Sequence, residues 1–157
     1  MEPTKQPPTT ENVELKSIVS DVLAELAFMI GDDEDIDITS VTDWMHVEIT
    51  YSGVASGRLR CWCTRPFAVR LAANLLGTEV DETEAQLAAE DAVREFANVL
   101  CGQIVTIWHG TSSAFALTIP GVSECWEAPS LDEDKPGYRC LFSAEGEPLL
   151  CVHDQGP

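Results

Sequence analysis

From Asp91 to Ile107 apolar residues recur at the spacing of an α-helix, and no other stretch of the chain restricts the fold so tightly. At about 100° per residue, Val93, Phe96, Ala97, Leu100, Ile104 and Ile107 gather on one side. Asp91, Glu95, Asn98 and Gly102 fall within roughly 60° of one another on the other side. A helix divided in this way packs its apolar stripe on a core and turns its polar stripe outward. A carboxylate and a carboxamide one turn apart on a bare surface are then free to meet another molecule. Exposed Glu and Asn are most often only solvated, so the stripe acquires meaning from the rest of the chain.

The helix carrying this stripe is expected from about Thr83 to His109, with Thr83-Glu84 placed to cap its first turn and Gly110 to end it. An earlier amphipathic helix over Glu11–Ile30 would bury Leu15, Val19, Leu23, Leu26 and Ile30, and Gly31 would stop it. Trp44–Tyr51 and Arg58–Cys63 alternate as strands around the glycine-bearing turn 52–57. Pro66 begins a short helix that runs to Leu76, where Gly77 fits the C-terminal cap. Ser113–Thr118 reads as a strand, Val122–Gly137 as a long loop, and Tyr138–Ala144 with Pro148–His153 as a closing hairpin. The fold class is α+β: an antiparallel sheet with long helices packed on one face. Residues 1–10 read as a disordered leader, 11–153 as a single domain and 154–157 as a tail.

Charge narrows the partners. With 27 acidic against 9 basic residues and a net charge of -18, the surface suits neither nucleic acid nor an anionic membrane, where Lys and Arg must neutralise phosphates. No apolar run approaches the roughly 18 residues of a membrane span, and the first residues are polar and Pro-rich, so the expected location is the cytoplasm. The acidic run Asp32-Asp33-Glu34-Asp35 lacks the spaced ligands of a calcium loop and reads as a solvated loop. The six cysteines sit among apolar neighbours with no Cys-x2-Cys pair and no His at ligand spacing, and they read as reduced core residues. Cys61 and Cys63 share a strand face, where a soft metal is only weakly signalled. His46, His109 and His153 are isolated, as surface or satisfied core histidines are. Trp44, Trp62, Trp108 and Trp126 read as core or dimer-edge residues.

The first helix contains Asp21, Glu25 and Phe28 at the spacing of Asp91, Glu95 and Asn98, 70 residues further on, the distance from Asp21 to Asp91. Two related halves, each a long helix followed by paired strands, imply a pseudo-two-fold axis, and only the second copy keeps the carboxamide. In this respect the chain resembles the CheC, CheX and FliY phosphatases of bacterial chemotaxis, which act on phosphorylated CheY-type response regulators. The resemblance spans roughly residues 11–153. It rests on the pattern Asp/Ser-x3-Glu-x2-Asn at Asp91, Glu95 and Asn98, on Gly53 and Gly57, on Leu75-Leu76-Gly77, and on Ile119-Pro120. A single complete copy resembles the CheX type, whose one site per subunit goes with a homodimer. Phe28 stands where a second site would need Asn, so the first helix is expected to be structural. Pro120 lies about one residue closer to Asn98 than the family pattern implies.

The resemblance implies a chemistry. The receiver domain brings the acceptor aspartate, the phosphoryl group and its own Mg²⁺, so this chain need hold no cofactor and no metal. Asn98 would orient the attacking water, and Glu95 would pair with the receiver's lysine beside the phosphoryl group. Asp91 would pair with the receiver or cap local backbone, and Gly102 would allow close approach. The competing reading is a non-catalytic module that binds a receiver or a flagellar-switch component, since fold does not dictate function. A small-ligand sensor using the crevice between the halves ranks last, for want of a polar cluster in the sequence.

Overall fold

β-branched and aromatic residues alternating with polar ones draw Trp44–Ser52 (β1) and Gly57–Thr64 (β2) into an antiparallel hairpin, in register from Trp44 opposite Thr64 to Tyr51 opposite Gly57. The computed structural model describes residues 10–32, 36–112, 114–127 and 137–156. A Cβ at Gly57 would collide with the Tyr51 ring, and one at Gly53 would come within 2.7 Å of the Ala114 carbonyl oxygen, so neither position admits a side chain. The second hairpin joins Tyr138–Ala144 (β5) to Glu147–Gln155 (β6). Its two-residue turn places Glu145 and Gly146 at φ 53° and 79°, the left-handed pair that a tight hairpin requires. Between the hairpins in sequence lie Ala116–Leu117 (β3) and Gly121–Cys125 (β4), both paired with β1. The sheet order is β3-β1-β2-β6-β5, with β4 beside β3 on the same edge of β1.

Among the described residues the α-helices gather on one face: α1 (Thr10–Ala27), α2 (Arg65–Leu76), α3 (Thr83–Leu87) and α4 (Ala89–His109). Their apolar stripes meet the inward side chains of β1, β2, β5 and β6 in one core that includes Leu23, Ile49, Leu59, Phe96, Leu100 and Phe142. Burying each such side chain is worth roughly 1.5–3 kcal/mol. α1 lies against β5 and α4 against β1, so the helix of each half packs on the outer strand of the other half's hairpin. Rotation about an axis between the antiparallel neighbours β2 and β6 exchanges β1 with β5 and α1 with α4, which is the expected pseudo-two-fold.

Several boundaries differ from the sequence reading. α1 ends at Ala27 rather than Ile30, because Phe28 turns left-handed at φ 53° and the chain leaves the helix axis before Gly31. Ile30 is consequently 82% exposed instead of buried. The helix expected over Thr83–His109 is two helices, broken at Ala88 (φ -91°, ψ 2°), and α3 begins after Glu82 with no side-chain cap. The strand expected at Ser113–Thr118 shrinks to β3, with Ser113 outside the described residues. The long loop expected from Val122 begins instead as β4, whose backbone pairs with β1, and residues 128–136 lie outside the described part. Asp154 and Gln155, expected in a tail, continue β6 opposite Arg58 and Gly57. Residues 1–9 of the expected leader and Asp33–Asp35 also fall outside the described residues, while Thr10 already opens α1. Asp32 is not simply solvated. Its carboxylate accepts from the Ser143 hydroxyl at 2.5 Å and from the Glu145 N–H at 3.0 Å, tying the end of α1 to the β5–β6 turn.

Candidate active site

α4 owes its orientation to an apolar stripe that is almost wholly buried: Val93, Phe96, Ala97, Leu100, Cys101 and Ile104 are each at most 2% exposed. Ile107, grouped with them on the helical wheel, is 55% exposed, because over this last stretch it is Val105 and Trp108 that face the core. Asp91, Glu95 and Asn98 are exposed along the opposite side, with Gly102 half-buried one turn further on. All four expected site residues therefore share one continuous strip of a single rigid helix.

Asp91 is not idle within the chain. Arg94 donates to its carboxylate at 3.1 Å and also lies 3.7 Å from Glu90, pairs of the i,i+3 and i,i+4 kind worth a few tenths of a kcal/mol each. This engagement of Asp91 by Arg94 was legible from their spacing and went unread in the sequence. Asp91 and Glu90 also place negative charge in the first turn, where it complements the helix dipole. At Gly102 a Cβ would meet nothing within 4 Å, so the chain's own packing does not demand glycine there. A mid-helix glycine costs about 1 kcal/mol relative to alanine, and nothing in the packing of this helix offsets that cost.

The pseudo-equivalent strip on α1 has Asp21 and Glu25, both exposed, but breaks at its third position. Phe28 is the residue that leaves the helix, its side chain 82% exposed. A family model described as "Chemotaxis phosphatase CheX" matches residues 45–125, a span that contains the α4 strip. The chain belongs to the CheX family.

Solved structures agree on the CheX fold. A CheX from Desulfovibrio desulfuricans is 14% identical over 93% of this chain and 99% of its own, with a TM-score of 0.67. A CheC-like protein from Shewanella is 13% identical over 95% and 99%, with a TM-score of 0.68. The CheX–CheY–BeF3–Mg²⁺ complex from Borrelia burgdorferi matches at 17% identity over 93% and 98%, with a TM-score of 0.64. Among curated proteins, none matches.

The remaining polar candidates in this CheX-family chain sit away from the strip. Cys61, Cys151 and Cys140 face one another across β2, β6 and β5, with the Cys61 and Cys151 sulfurs 3.4 Å apart. Burial pushes the Cys101 thiol up to about 12 and raises Cys63 and Cys151 as well, so these sulfurs stay protonated in the core. Cys125, on the open edge strand β4, is the half-buried exception to the expected core placement. No group of three or more His, Cys, Asp or Glu among the described residues is placed to hold a metal ion. No helix among them is long and apolar enough to cross a membrane.

His153 is fully buried, its Nε2 2.8 Å from the Tyr51 hydroxyl and its ring stacked with those of Tyr51 and Tyr138. Trp108, near the end of α4, meets it edge-on at 4.9 Å. Desolvation, with His109 adding to it, lowers the His153 pKa to about 4 against the opposing pull of Asp154. His46 is lowered in the same way by burial. Of the tryptophans, Trp44 is fully buried, but Trp126 is 70% exposed and is not a core residue.

Proposed function

We propose that this protein accelerates hydrolysis of the aspartyl phosphate on a CheY-type receiver domain, acting as a single-site phosphatase through α4. The observation that carries the reading is the joint exposure of Asp91, Glu95 and Asn98, with Gly102 half-buried in line with them, along one helix in a member of the CheX family. The Borrelia CheX, of the same fold, is recorded in complex with CheY, BeF3 and Mg²⁺, which supports a receiver as the partner and a Mg²⁺ that arrives with it.

The receiver's acceptor carboxylate, phosphoryl group and metal constitute the reacting centre, and this chain contributes geometry. The Asn98 carboxamide accepts a hydrogen bond from the attacking water through its C=O, and its NH2 holds a second acceptor. That fixes the water for in-line attack, the positioning on which a loose phosphoryl-transfer transition state chiefly depends. Glu95, one turn back, forms an ion pair with the receiver's lysine and so docks and aligns it. Asp91, buttressed by Arg94, extends the acidic edge of the docking strip, and Gly102 lets the receiver backbone come close. The active unit is a homodimer with one such site per subunit, in the cytoplasm.

The test is the lifetime of the aspartyl phosphate on a receiver from the same organism, with Mg²⁺ and substoichiometric protein. Wild type shortens it, Asn98→Ala binds the receiver but leaves the lifetime at its unassisted value, and Glu95→Ala weakens both binding and turnover. Binding without acceleration by wild type favours the non-catalytic module instead.

A further inference from the structure

A cleft of about 590 Å³ opens between the start of α2, the α2–α3 connection and the β5–β6 turn, and no residue of α4 lines it. Its volume falls within the roughly 300–1,000 Å³ of ligand-binding clefts. Its floor is apolar, with Met29, Phe67, Val69 and Ala144 each at most 4% exposed.

The charges on its rim are unevenly satisfied. Arg70 pairs with Glu145, Arg65 reaches Glu124 at 3.5 Å, and Glu147 accepts from the Thr64 hydroxyl at 2.6 Å. Asp81 has no hydrogen-bond or ion-pair partner among the described residues. It sits in Glu79-Val80-Asp81-Glu82-Thr83-Glu84, which has four carboxylates and no basic residue.

Large apolar side chains also stand exposed beside lining residues in the chain. Phe28 and Ile30, both 82% exposed, flank Met29 in the chain, and Leu87, 80% exposed, follows the lining residue Gln86. Phe28 holds a left-handed backbone that a bulky residue adopts only at a cost. Neither its burial nor its conformation gives the folded chain a return for that cost.

We propose that this cleft docks a segment of a partner protein in which an apolar side chain enters the floor and adjacent Lys or Arg residues meet Asp81 and its acidic neighbours. Phe28 and Ile30 are the exposed anchors that extend the contact, in the way buried aromatic anchors dominate protein interfaces. A second copy of this chain, with 9 basic against 27 acidic residues, is a poor source of the cationic segment that the 79–84 carboxylates call for at this cleft.

The probe is a short fluorescein-labelled peptide alternating leucine and lysine, titrated by anisotropy against the full chain. Control peptides carry glutamate in place of lysine, or serine in place of leucine. The first peptide should bind saturably and both controls should fail. Phe28→Asn and Asp81→Lys should each weaken binding about tenfold or more, equivalent to about 1.4 kcal/mol. Glu11→Lys, at the far end of α1, should leave it unchanged. Phe28→Asn relieves the backbone rather than burdening it, and urea denaturation of the variant confirms that its loss of binding is read on folded protein. In ¹⁵N spectra the shifts should centre on Met29, Val80 and Gln86. Absence of saturable binding, equal weakening by Glu11→Lys, insensitivity to Phe28→Asn, or shifts centred on Glu95 and Asn98 would each overturn the proposal. None of these outcomes depends on phosphatase activity, so this docking site and the α4 site stand or fall separately.

Discussion

α1 and α4 are the same helix used twice, and they have diverged at one end. Both bury an alternating set of aliphatic residues under the sheet, with Leu15, Leu23, Leu100 and Ile104 all fully buried, and both present an Asp and a Glu one turn apart on the outside. α4 then continues for more than two further turns, carrying Asn98 on a rigid helical backbone. α1 stops at Ala27, so its third position, Phe28, is set on a turn. A water-positioning group needs its backbone fixed as much as it needs the right side chain. The two helices thus differ at the third position in backbone geometry as well as in residue.

The strongest way to break this comparison is to exchange the third positions. Asn98→Ala in α4 should slow receiver dephosphorylation by about a hundredfold or more, the scale on which loss of positioning acts. Phe28→Asn in the same background should restore none of it, because a carboxamide at φ 53° past a helix end does not stand over Glu25 as Asn98 stands over Glu95. Rescue of single-turnover hydrolysis by Phe28→Asn would show that residue identity alone separates the two helices.

A second contrast concerns how the helices are held. The last turn of α4 brings Trp108 and His109 to the rings around His153, whereas the first turn of α1 is tied to β5 through Asn12, which accepts from the Arg139 N–H at 2.9 Å. The His153 imidazole titrates near 6.5 when unfolded and near 4 in the fold, so between those values the unfolded chain binds the extra proton. Its contribution is complete above pH 6.5 and is lost progressively as pH falls to about 4, to a total of about 3 kcal/mol. Urea denaturation at a series of pH values should show that slope in wild type and lose it in His153→Phe. Hydrogen exchange should show the end of α4 opening in acid before α1 does. Identical slopes in the two proteins would remove His153 from the account.

Gly102→Ala sharpens the comparison on the functional strip itself. With open space around the added methyl group, the substitution should stabilise α4 by about 1 kcal/mol, read as a raised Tm. It should at the same time weaken receiver binding, because the methyl occupies the space the partner backbone needs. A raised Tm with unchanged receiver affinity would make Gly102 a bystander.

How much of this was legible in the sequence follows from the kind of signal each feature leaves. The α4 strip, the two hairpins and the caps at Gly77 (φ 71°) and Gly110 (φ 84°) were legible because periodicity and glycine report backbone geometry directly. β4 was not, because its five residues are mostly exposed, with only Val122 and Cys125 half-buried, so backbone pairing to β1 holds it and no period-2 alternation marks it. The break at Ala88 falls between Leu87 and Ala89, among the best helix formers, and has no local mark. The cleft assembles from four separated segments, and its charges are paired across distances that no local pattern encodes.

Phe28 yields the smallest effect and the most pointed one. Left-handed helix ends are ordinarily occupied by glycine or asparagine, which reach that conformation with little penalty. Phe28→Asn should therefore stabilise the protein by about 0.5–1 kcal/mol, measured by urea denaturation at pH 7.5, even though it deletes the larger apolar side chain. A buried phenylalanine would show the opposite sign, a loss of about 3–5 kcal/mol on truncation. The sign is thus the test: stabilisation means that Phe28 contributes nothing to the folded chain and that its place at the end of the shortened helix is explained by what it meets outside. Destabilisation would mean that the ring packs on α1 or α2 in solution, and the divergence of the two helices would then be a matter of folding rather than of partners.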